Sequence, residues 1–167
     1  MRIDDVQRRR GSLVQLVLDG EPAALIDRKT FEESPYEVGS SLSEEQWVAL
    51  KKESKTRRAW DKALYLLSLR DYARAQLQRK LEREAGSELA RETVERLERA
   101  GLLNDGAYAR RLARDMVERR HFSRRRTLQE LTARGLDRET AEAKDRYLSE
   151  NNYFDWNTGE LQKWENS

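Results

Sequence analysis

Hydrophobic and polar positions follow a strand-like pattern only in the first part of the chain. The stretch SLVQLVLDGEPAALID places apolar runs on either side of Asp19-Gly20. Pro22 and Pro35, the only prolines of the chain, lie in the same part. Because Asp-Gly accepts the positive φ angles of a tight two-residue turn, the pattern predicts a β-hairpin.

A helix is predicted to follow this hairpin. In LSEEQ, residues 42–46, Ser43 can cap a helix start and Gln46 can complete a capping box. This helix is expected to run to about Lys55. The charged stretch KKESKTRR leads on to Ala59 and is either a continuation of the helix or a linker.

From Ala59 onward, apolar residues recur every three or four positions, which is the spacing of one face of an α-helix. The remaining positions are mostly charged, so each helix needs neighbours to bury its narrow apolar face. We also expect Trp60 and Tyr65 to be buried. The predicted helical core positions are Ala63, Leu64, Leu67, Ala73, Leu77, Leu81, Ala90, Val94, Leu97, Tyr108, Ala109, Leu112, Ala113, Met116, Val117, Leu128, Leu131, Ala141 and Leu148.

The helical part of the sequence repeats itself with a period of about 50 residues. RDYARAQLQRKL, residues 70–81, aligns with RHFSRRRTLQEL, residues 120–131, so that Tyr72 matches Phe122. We interpret these two aromatic residues as core anchors, in preference to base-stacking platforms. Two apolar-Asp segments align further along, GLLND at 101–105 and NNYFD at 151–155.

These patterns predict a mainly α-helical fold of tandem three-helix repeats in an elongated array, with a small N-terminal β-hairpin. The two repeats are expected to join near Leu103–Asp105. The predicted domain limits are residues 1–56 for the hairpin and helix extension, 57–103 for the first repeat, 104–152 for the second repeat and 153–167 for a C-terminal tail.

Composition mainly excludes certain kinds of site and certain classes of protein. The 167-residue chain contains no cysteine, so it has neither disulfides nor thiolate metal sites, and it has no apolar run that approaches a membrane span. We therefore expect a cytoplasmic protein without a membrane partner. His121 is the only histidine, and neither a phosphate-binding loop nor a metal-ligand spacing is present. These features predict a protein that is not an enzyme and needs no cofactor.

One stretch, RRHFSRRR at residues 119–126, contains five arginines and no acid. Ser123 is a good N-cap, which places the last three arginines in the first turn of a helix. Cations are unfavourable there, because the helix N-terminus already carries partial positive charge. We call this group the repeat-two corner and predict that it binds anions; its members are Arg119, Arg120, Arg124, Arg125 and Arg126.

The first repeat has a weaker equivalent, the repeat-one corner, which consists of Arg70, Arg74, Arg79 and Lys80. A charge run is often only a solvated helix face. Two features favour binding here: the conflict with the helix dipole and the recurrence of a basic corner at the repeat period. For Arg8–Arg10, before the predicted hairpin, we prefer a role in solubility alone.

The segments ALYLLSLRDYARAQLQRKL, GLLNDGAYARRLARDM and RRRTLQELTARGLDRETAE resemble the RecX family. The resemblance covers roughly residues 61–150. It rests on an Arg-aromatic-x-x-x-x-Leu-x-x-x-Leu pattern and a Leu-x-Asp-x-x-x-Ala pattern. Ala73 stands where the family usually has a serine cap, and Gln76 where a glutamate is usual. Members usually have three repeats, so the tail is expected to be the remnant of a third, about one helix long.

The resemblance implies a bacterial regulator of the RecA recombinase that lies along the groove of the RecA–ssDNA filament and touches both protein and DNA. Binding would block ATP turnover and strand exchange, so the regulation would be negative. The expected partners are the RecA filament and the single-stranded DNA within it, and the protein is expected to act as a monomer. Both corners would contribute filament contacts.

Two other functions fit the residues. One is a free-standing DNA-binding protein that uses its three-helix units as helix-turn-helix modules. The small charge excess argues against it, because residues 61–150 carry 21 basic and 17 acidic side chains and residues 1–60 carry 11 of each. The other is a helical-repeat adaptor whose arginines meet acidic side chains of another protein.

Overall fold

The computed structural model describes residues 1–136, 152–155 and 160–163; for Arg124 and the last two segments it describes the backbone alone. These residues form six α-helices, one π-helical turn and five strands. The mainly helical fold class with a small N-terminal β-sheet is confirmed. The chain divides into two compact units, Met1–Leu64 and Tyr65–Ser167.

The first unit begins with a three-stranded antiparallel sheet in the order β1-β2-β3. The predicted hairpin is confirmed as β2 (Leu13–Leu18) and β3 (Glu21–Asp27), with positive φ angles at Asp19 and Gly20. The sequence analysis missed β1 (Ile3–Arg8), which pairs with β2 along its other edge. Only Ile3 of that strand is buried, so its sequence IDDVQR lacks the alternation that would have identified it.

One face of this sheet supports the core of the first unit. Val14, Leu16 and Leu18 alternate along β2 and are all buried, as the period of a half-buried strand requires. Helices cover them: the short α1 (Arg28–Glu33) and the N-terminal part of α2 (Glu44–Leu69). The buried core cluster comprises Ile3, Val14, Leu16, Leu18, Ile26, Phe31, Leu42, Trp47 and Leu50.

Helix α2 begins with the predicted capping box. The Ser43 hydroxyl accepts the backbone N–H of Gln46 at 3.1 Å, and the Gln46 side chain accepts that of Ser43 at 2.8 Å. The expected end near Lys55 is wrong, because KKESKTRR continues the helix to Leu69. Buried positions at Ala59, Ala63 and Leu66 carry one apolar face past the charged stretch.

The second unit contains the remaining described helices, which are α3 (Arg74–Ala85), α4 (Ser87–Arg99), α5 (Asp105–Arg114) with a π-helical turn (Asp115–Arg119), and α6 (Arg124–Ala133). Most predicted core positions are buried there, including Leu77, Leu81, Val94 and Leu97. Two expectations on α2 are wrong: Leu64 and Tyr65 are exposed, Tyr65 by 58%.

The tail differs from the expected helix. Its described segments, β4 (Asn152–Asp155) and β5 (Glu160–Lys163), pair as antiparallel strands. The alignment of NNYFD with GLLND therefore does not extend to structure, since the latter leads into helix α5. Ala141, Leu148 and the third helix of the second repeat lie outside the described residues, so the domain limits stay a prediction.

Candidate functional site

The repeat-two corner is built around the start of α6. Ser123 is the N-cap, and its hydroxyl accepts the backbone N–H of Arg126 at 3.2 Å. The predicted helix start is thus confirmed, with three arginines and no acid in the first turn. Their side-chain charges add to the positive end of the helix dipole, so this placement is electrostatically unfavourable for the folded protein alone.

A π-helical turn brings the chain to this corner. The backbone N–H of Arg120 donates to the carbonyl of Asp115 at 3.2 Å, and that of Phe122 donates to the carbonyl of Met116 at 2.9 Å. His121 has a φ angle of 54°, in the left-handed region. No sequence signal identified this turn. Its wider backbone bonding and the left-handed residue reverse the chain directly before the Ser123 cap.

Two arginine side chains lie near the ring of Phe122. The guanidinium carbon of Arg126 lies 3.7 Å from the ring centroid, and that of Arg120 lies 5.8 Å from it. Such stacking fixes the guanidinium plane while leaving its N–H edges available. Phe122 is only partly buried, so the prediction that it would be as deeply buried as Tyr72 is wrong.

The acids available to this corner are few. Asp115 lies 3.7 Å from Arg119 and 3.3 Å from Arg120. Arg125 and Arg126 are exposed, and within the described part of the chain no carboxylate lies within ion-pair distance of either. Arg125 and Arg126 therefore present positive charge that no described carboxylate neutralises.

The repeat-one corner has the same aromatic arrangement. The guanidinium carbon of Arg70 lies 3.8 Å from the Tyr72 ring centroid, and the ammonium of Lys80 lies 5.8 Å from it. Tyr72 is 5% exposed, as predicted for a core anchor. Burial disfavours its phenolate, but hydrogen bonding to Arg70 and the charges of Arg70 and Lys80 outweigh this effect and lower the pKa of Tyr72.

Arg74, in contrast, is neutralised within the fold. Its guanidinium lies 2.6 Å from a Glu98 oxygen and 3.8 Å from a Glu95 oxygen, both on α4. Arg79 is exposed, and its Nε donates to the carbonyl of Ala75 one turn earlier in the same helix at 3.3 Å. The structure thus places Arg70 and Lys80 around one ring but pairs Arg74 with acids.

Asp105 is a residue of this site that sequence reasoning overlooked. It is 2% exposed, and its carboxylate accepts the backbone N–H of Arg74 at 2.7 Å across 31 sequence positions. Ala73 has no side-chain cap to offer; the Gln76 side chain accepts the Ala73 N–H at 3.1 Å. Asp105 therefore supplies to α3 the capping that Ser123 supplies to α6. Its place in the Leu-x-Asp pattern was the available signal.

The described residues show neither metal-binding nor membrane-spanning features. They contain no group of His, Asp and Glu side chains suited to hold a metal ion. None of the helices in the same part combines the length and apolar character that crossing a bilayer requires.

Comparison with known proteins relates this chain to one family. The family model described as "RecX, second three-helix domain" matches residues 104–144. The Regulatory protein RecX of Trichlorobacter lovleyi is 44% identical over 75 residues, which span 44% of this chain and 49% of that protein. The Regulatory protein RecX of Caldanaerobacter subterraneus subsp. tengcongensis is 30% identical over 138 residues, which span 82% of this chain and 70% of the relative.

Solved structures show the same fold. A crystal structure of regulatory protein RecX matches with a TM-score of 0.62 at 21% identity, covering 85% of this chain and 71% of that one. The structure of RecX from Lactobacillus salivarius matches with a TM-score of 0.50 at 23% identity, covering 53% and 58%. With a relative matched over most of both lengths, the chain belongs to the RecX family of regulatory proteins.

Proposed function

We propose that this protein is a negative regulator of the RecA recombinase. It binds along the groove of the RecA–ssDNA filament in the cytoplasm as a monomer, without a cofactor, and it inhibits ATP turnover and strand exchange during homologous recombination and DNA repair. The regulatory name of its relatives supports the first part of this proposal. The filament as target follows from the family resemblance together with the two basic corners.

The repeat-two corner is the observation that carries the proposal. Arg125 and Arg126 are exposed, have no carboxylate at ion-pair distance in the described part of the chain, and follow a helix N-terminus. Guanidinium donors at the positive end of a helix suit phosphate or carboxylate oxygens. A DNA backbone or an acidic RecA surface would supply the negative charge.

The repetition of the arginine–aromatic arrangement fits a filament better than a single target. Arg70 stacks on Tyr72, and Arg120 lies near Phe122 at the matching position about 50 residues later. A filament presents the same surface many times. Two linked contacts to such a target gain affinity through effective concentration, even if each contact is weak.

Parallel binding measurements on three targets test the proposal. The targets are the RecA–ssDNA–nucleotide filament, naked single-stranded DNA and free RecA, and the ATP turnover of the filament is followed in the same samples. We expect the tightest binding to the filament, accompanied by a fall in ATP turnover. Equal affinity for naked DNA and filament would instead favour a free-standing DNA-binding protein, and binding to none of the three would favour an adaptor.

A further inference from the structure

The N-terminal sheet carries opposite charges at its two ends. Strand β1 starts with Ile3 beside Leu18, so its first residues lie next to the β2–β3 turn at Asp19-Gly20. That end of the sheet is acidic, whereas the other end, where β1 turns into β2, is basic. The acidic residues are Asp4, Asp5, Asp19 and Glu21, and the basic residues are Arg8, Arg9 and Arg10.

Most acids at the first end serve the backbone of the sheet. The Asp19 carboxylate accepts the backbone N–H of Arg2 at 2.9 Å, and the Asp4 carboxylate accepts that of Gly20 at 2.6 Å. Asp5 accepts the N–H of Val6 at 2.9 Å. These hydrogen bonds give the acidic end a structural purpose, since turn N–H groups need acceptors.

The arginines at the other end have no comparable purpose. Arg8 ends β1, and Arg9 and Arg10 open the connecting loop, with a positive φ of 71° at Gly11. All three arginines are exposed, and no carboxylate of the described residues lies within ion-pair distance of them. The one side-chain hydrogen bond is from the Arg9 guanidinium to the Gln7 amide oxygen at 3.1 Å.

More cations lie beside this loop. The carbonyl of Ser12 accepts the backbone N–H of Arg28 at 2.7 Å, which places the start of α1, with Arg28 and Lys29, next to the loop. The nearby acids are already engaged, and one of them, Glu32, lies 3.7 Å from Arg28 and pairs with it. Asp27 is buried and caps α1 through Thr30, and the Glu33 carboxylate lies 2.6 Å from the Arg57 guanidinium.

We propose that this basic hairpin tip, Arg8–Arg10, is a second nucleic-acid contact that binds the phosphodiester backbone. Like charges at three successive positions repel one another, and nothing in the described fold offsets that repulsion. The loop is held in place at both ends, by the Arg9 N–H to Leu13 carbonyl bond of 3.0 Å and by the Ser12–Arg28 bond. A preorganised loop loses little entropy on binding.

The chemistry of the tip favours phosphates over a protein surface. The segment RRRGS, residues 8–12, has no apolar side chain, whereas protein interfaces generally bury an apolar centre. Guanidinium groups bind phosphate oxygens through paired N–H donors. Sequence reasoning assigned these arginines to solubility, because it could not show that they share one loop with no acid beside it. The site lies in the first unit and does not depend on the proposed filament function.

The test measures the salt dependence of binding to naked nucleic acid by the full chain. The two probes, a short thymidine homopolymer and a DNA duplex of the same length, distinguish single strands from duplex as the source of phosphates. The test variant is R8Q/R9Q/R10Q. The charge-matched control is R83Q/R91Q/R99Q, which removes three exposed arginines from α3 and α4. A third variant, R8K/R9K/R10K, keeps the charge of the tip.

We expect the tip variant to flatten the slope of log affinity against log salt by about 2.7 units for duplex or about 2.1 for single strands, if each arginine neutralises one phosphate. The lysine variant should keep the slope, the control should change it by less than one unit, and all should melt within a few degrees of the unaltered protein. An equal effect of the tip variant and the control would overturn the proposal, since only net charge would matter. A tip variant that binds both probes normally would also overturn the proposal.

The readout separates this proposal from the filament function. Naked nucleic acid contains no RecA, so a protein that fails to inhibit RecA can still show the tip-dependent slope. Conversely, R8Q/R9Q/R10Q could still inhibit the filament and show an unchanged salt slope on naked DNA. That result would contradict the tip site and leave the filament function standing.

Discussion

The two basic corners share one local arrangement. They differ in how far their cations are paired with acids of the fold. Each places an arginine two positions before an aromatic residue, and a helix begins two positions after that residue. In the first repeat, α4 supplies Glu95 and Glu98 to Arg74. In the second, Arg126 stacks on Phe122 and has no carboxylate at ion-pair distance in the described part of the chain.

The difference indicates a division of roles between the repeats. Charge that is neutralised inside the fold stabilises the fold and has little left for a partner, whereas unneutralised charge slightly destabilises the fold and remains available. The repeat-one corner thus pairs one cation, Arg74, within the fold and leaves three exposed cations, Arg70, Arg79 and Lys80. We propose that the repeat-two corner, with Arg125 and Arg126 exposed, is the binding surface. Substitutions in both repeats test this contrast.

The aromatic pair should show the largest difference. Tyr72 is buried, so Tyr72→Ala should lower the free energy of unfolding by about 3–5 kcal/mol, the range for a core aromatic. Phe122 is only partly buried, so Phe122→Ala should cost roughly half as much. Denaturant unfolding of both variants measures this. Equal losses would show that the two aromatic residues have the same role after all.

The arginines of the repeat-two corner should affect binding without harming the fold. R124Q/R125Q/R126Q removes cations from a helix start, so the melting temperature should hold or rise slightly. Filament affinity should fall roughly a hundredfold, with a salt slope flatter by about two to three units if phosphates are the partner. An acidic RecA surface would give a similar loss with a smaller change of slope.

Arg74→Gln is the matched change in the first repeat. It removes the partner that Glu95 and Glu98 share, although Glu95 keeps Arg91 at 3.2 Å, so it should lower the free energy of unfolding by about 1 kcal/mol and weaken filament binding little. Normal filament binding by the triple variant, or a strong binding defect in Arg74→Gln, would reverse the assigned roles.

The helix caps give a second stability contrast between the two repeats. Asp105→Ala removes a buried acceptor from the Arg74 N–H and should lower the free energy of unfolding by about 2–3 kcal/mol. Ser123→Ala removes a cap at an exposed helix start and should cost about 1 kcal/mol. Thermal or denaturant unfolding compares them. A larger cost for Ser123 would mean that the local cap matters more than the distant one.

These contrasts also show which features of the fold can be predicted from the sequence. The Asp19-Gly20 turn, the Ser43 capping box and the Ser123 helix start were predicted because each depends on neighbours within a few residues. The narrow apolar stripes likewise identified core positions such as Leu77 and Leu97. Local rules therefore located the β2–β3 hairpin, the starts of α2 and α6 and many core positions.

Features that depend on distant residues were missed. Strand β1 is held by pairing with β2 and buries one large side chain, so it has no pattern of its own. Arg74 was predicted to belong to an anion-binding corner, but α4 supplies acids to it, and the capping of α3 by Asp105 spans 31 positions. Such contacts decide whether a cation is paired with an acid, and the sequence of a single helix does not specify them.

The smallest predicted effect concerns the residue before each aromatic. His121 has a left-handed φ of 54°, whereas Asp71, its counterpart in the first repeat, has no positive φ. A left-handed conformation costs a non-glycine residue roughly 1 kcal/mol, part of which glycine's greater freedom in the unfolded chain cancels. His121→Gly should therefore raise the free energy of unfolding by up to about 0.5 kcal/mol. Asp71→Gly should lower it, also because Asp71 lies 3.2 Å from Arg111.

Since the His121 side chain is exposed and is not assigned to the anion contact, filament affinity should stay unchanged. Paired denaturant titrations and filament binding of the two variants check this. A loss of affinity in His121→Gly at unchanged stability would mean that the imidazole, or the fixed turn that it accompanies, belongs to the binding surface of the repeat-two corner.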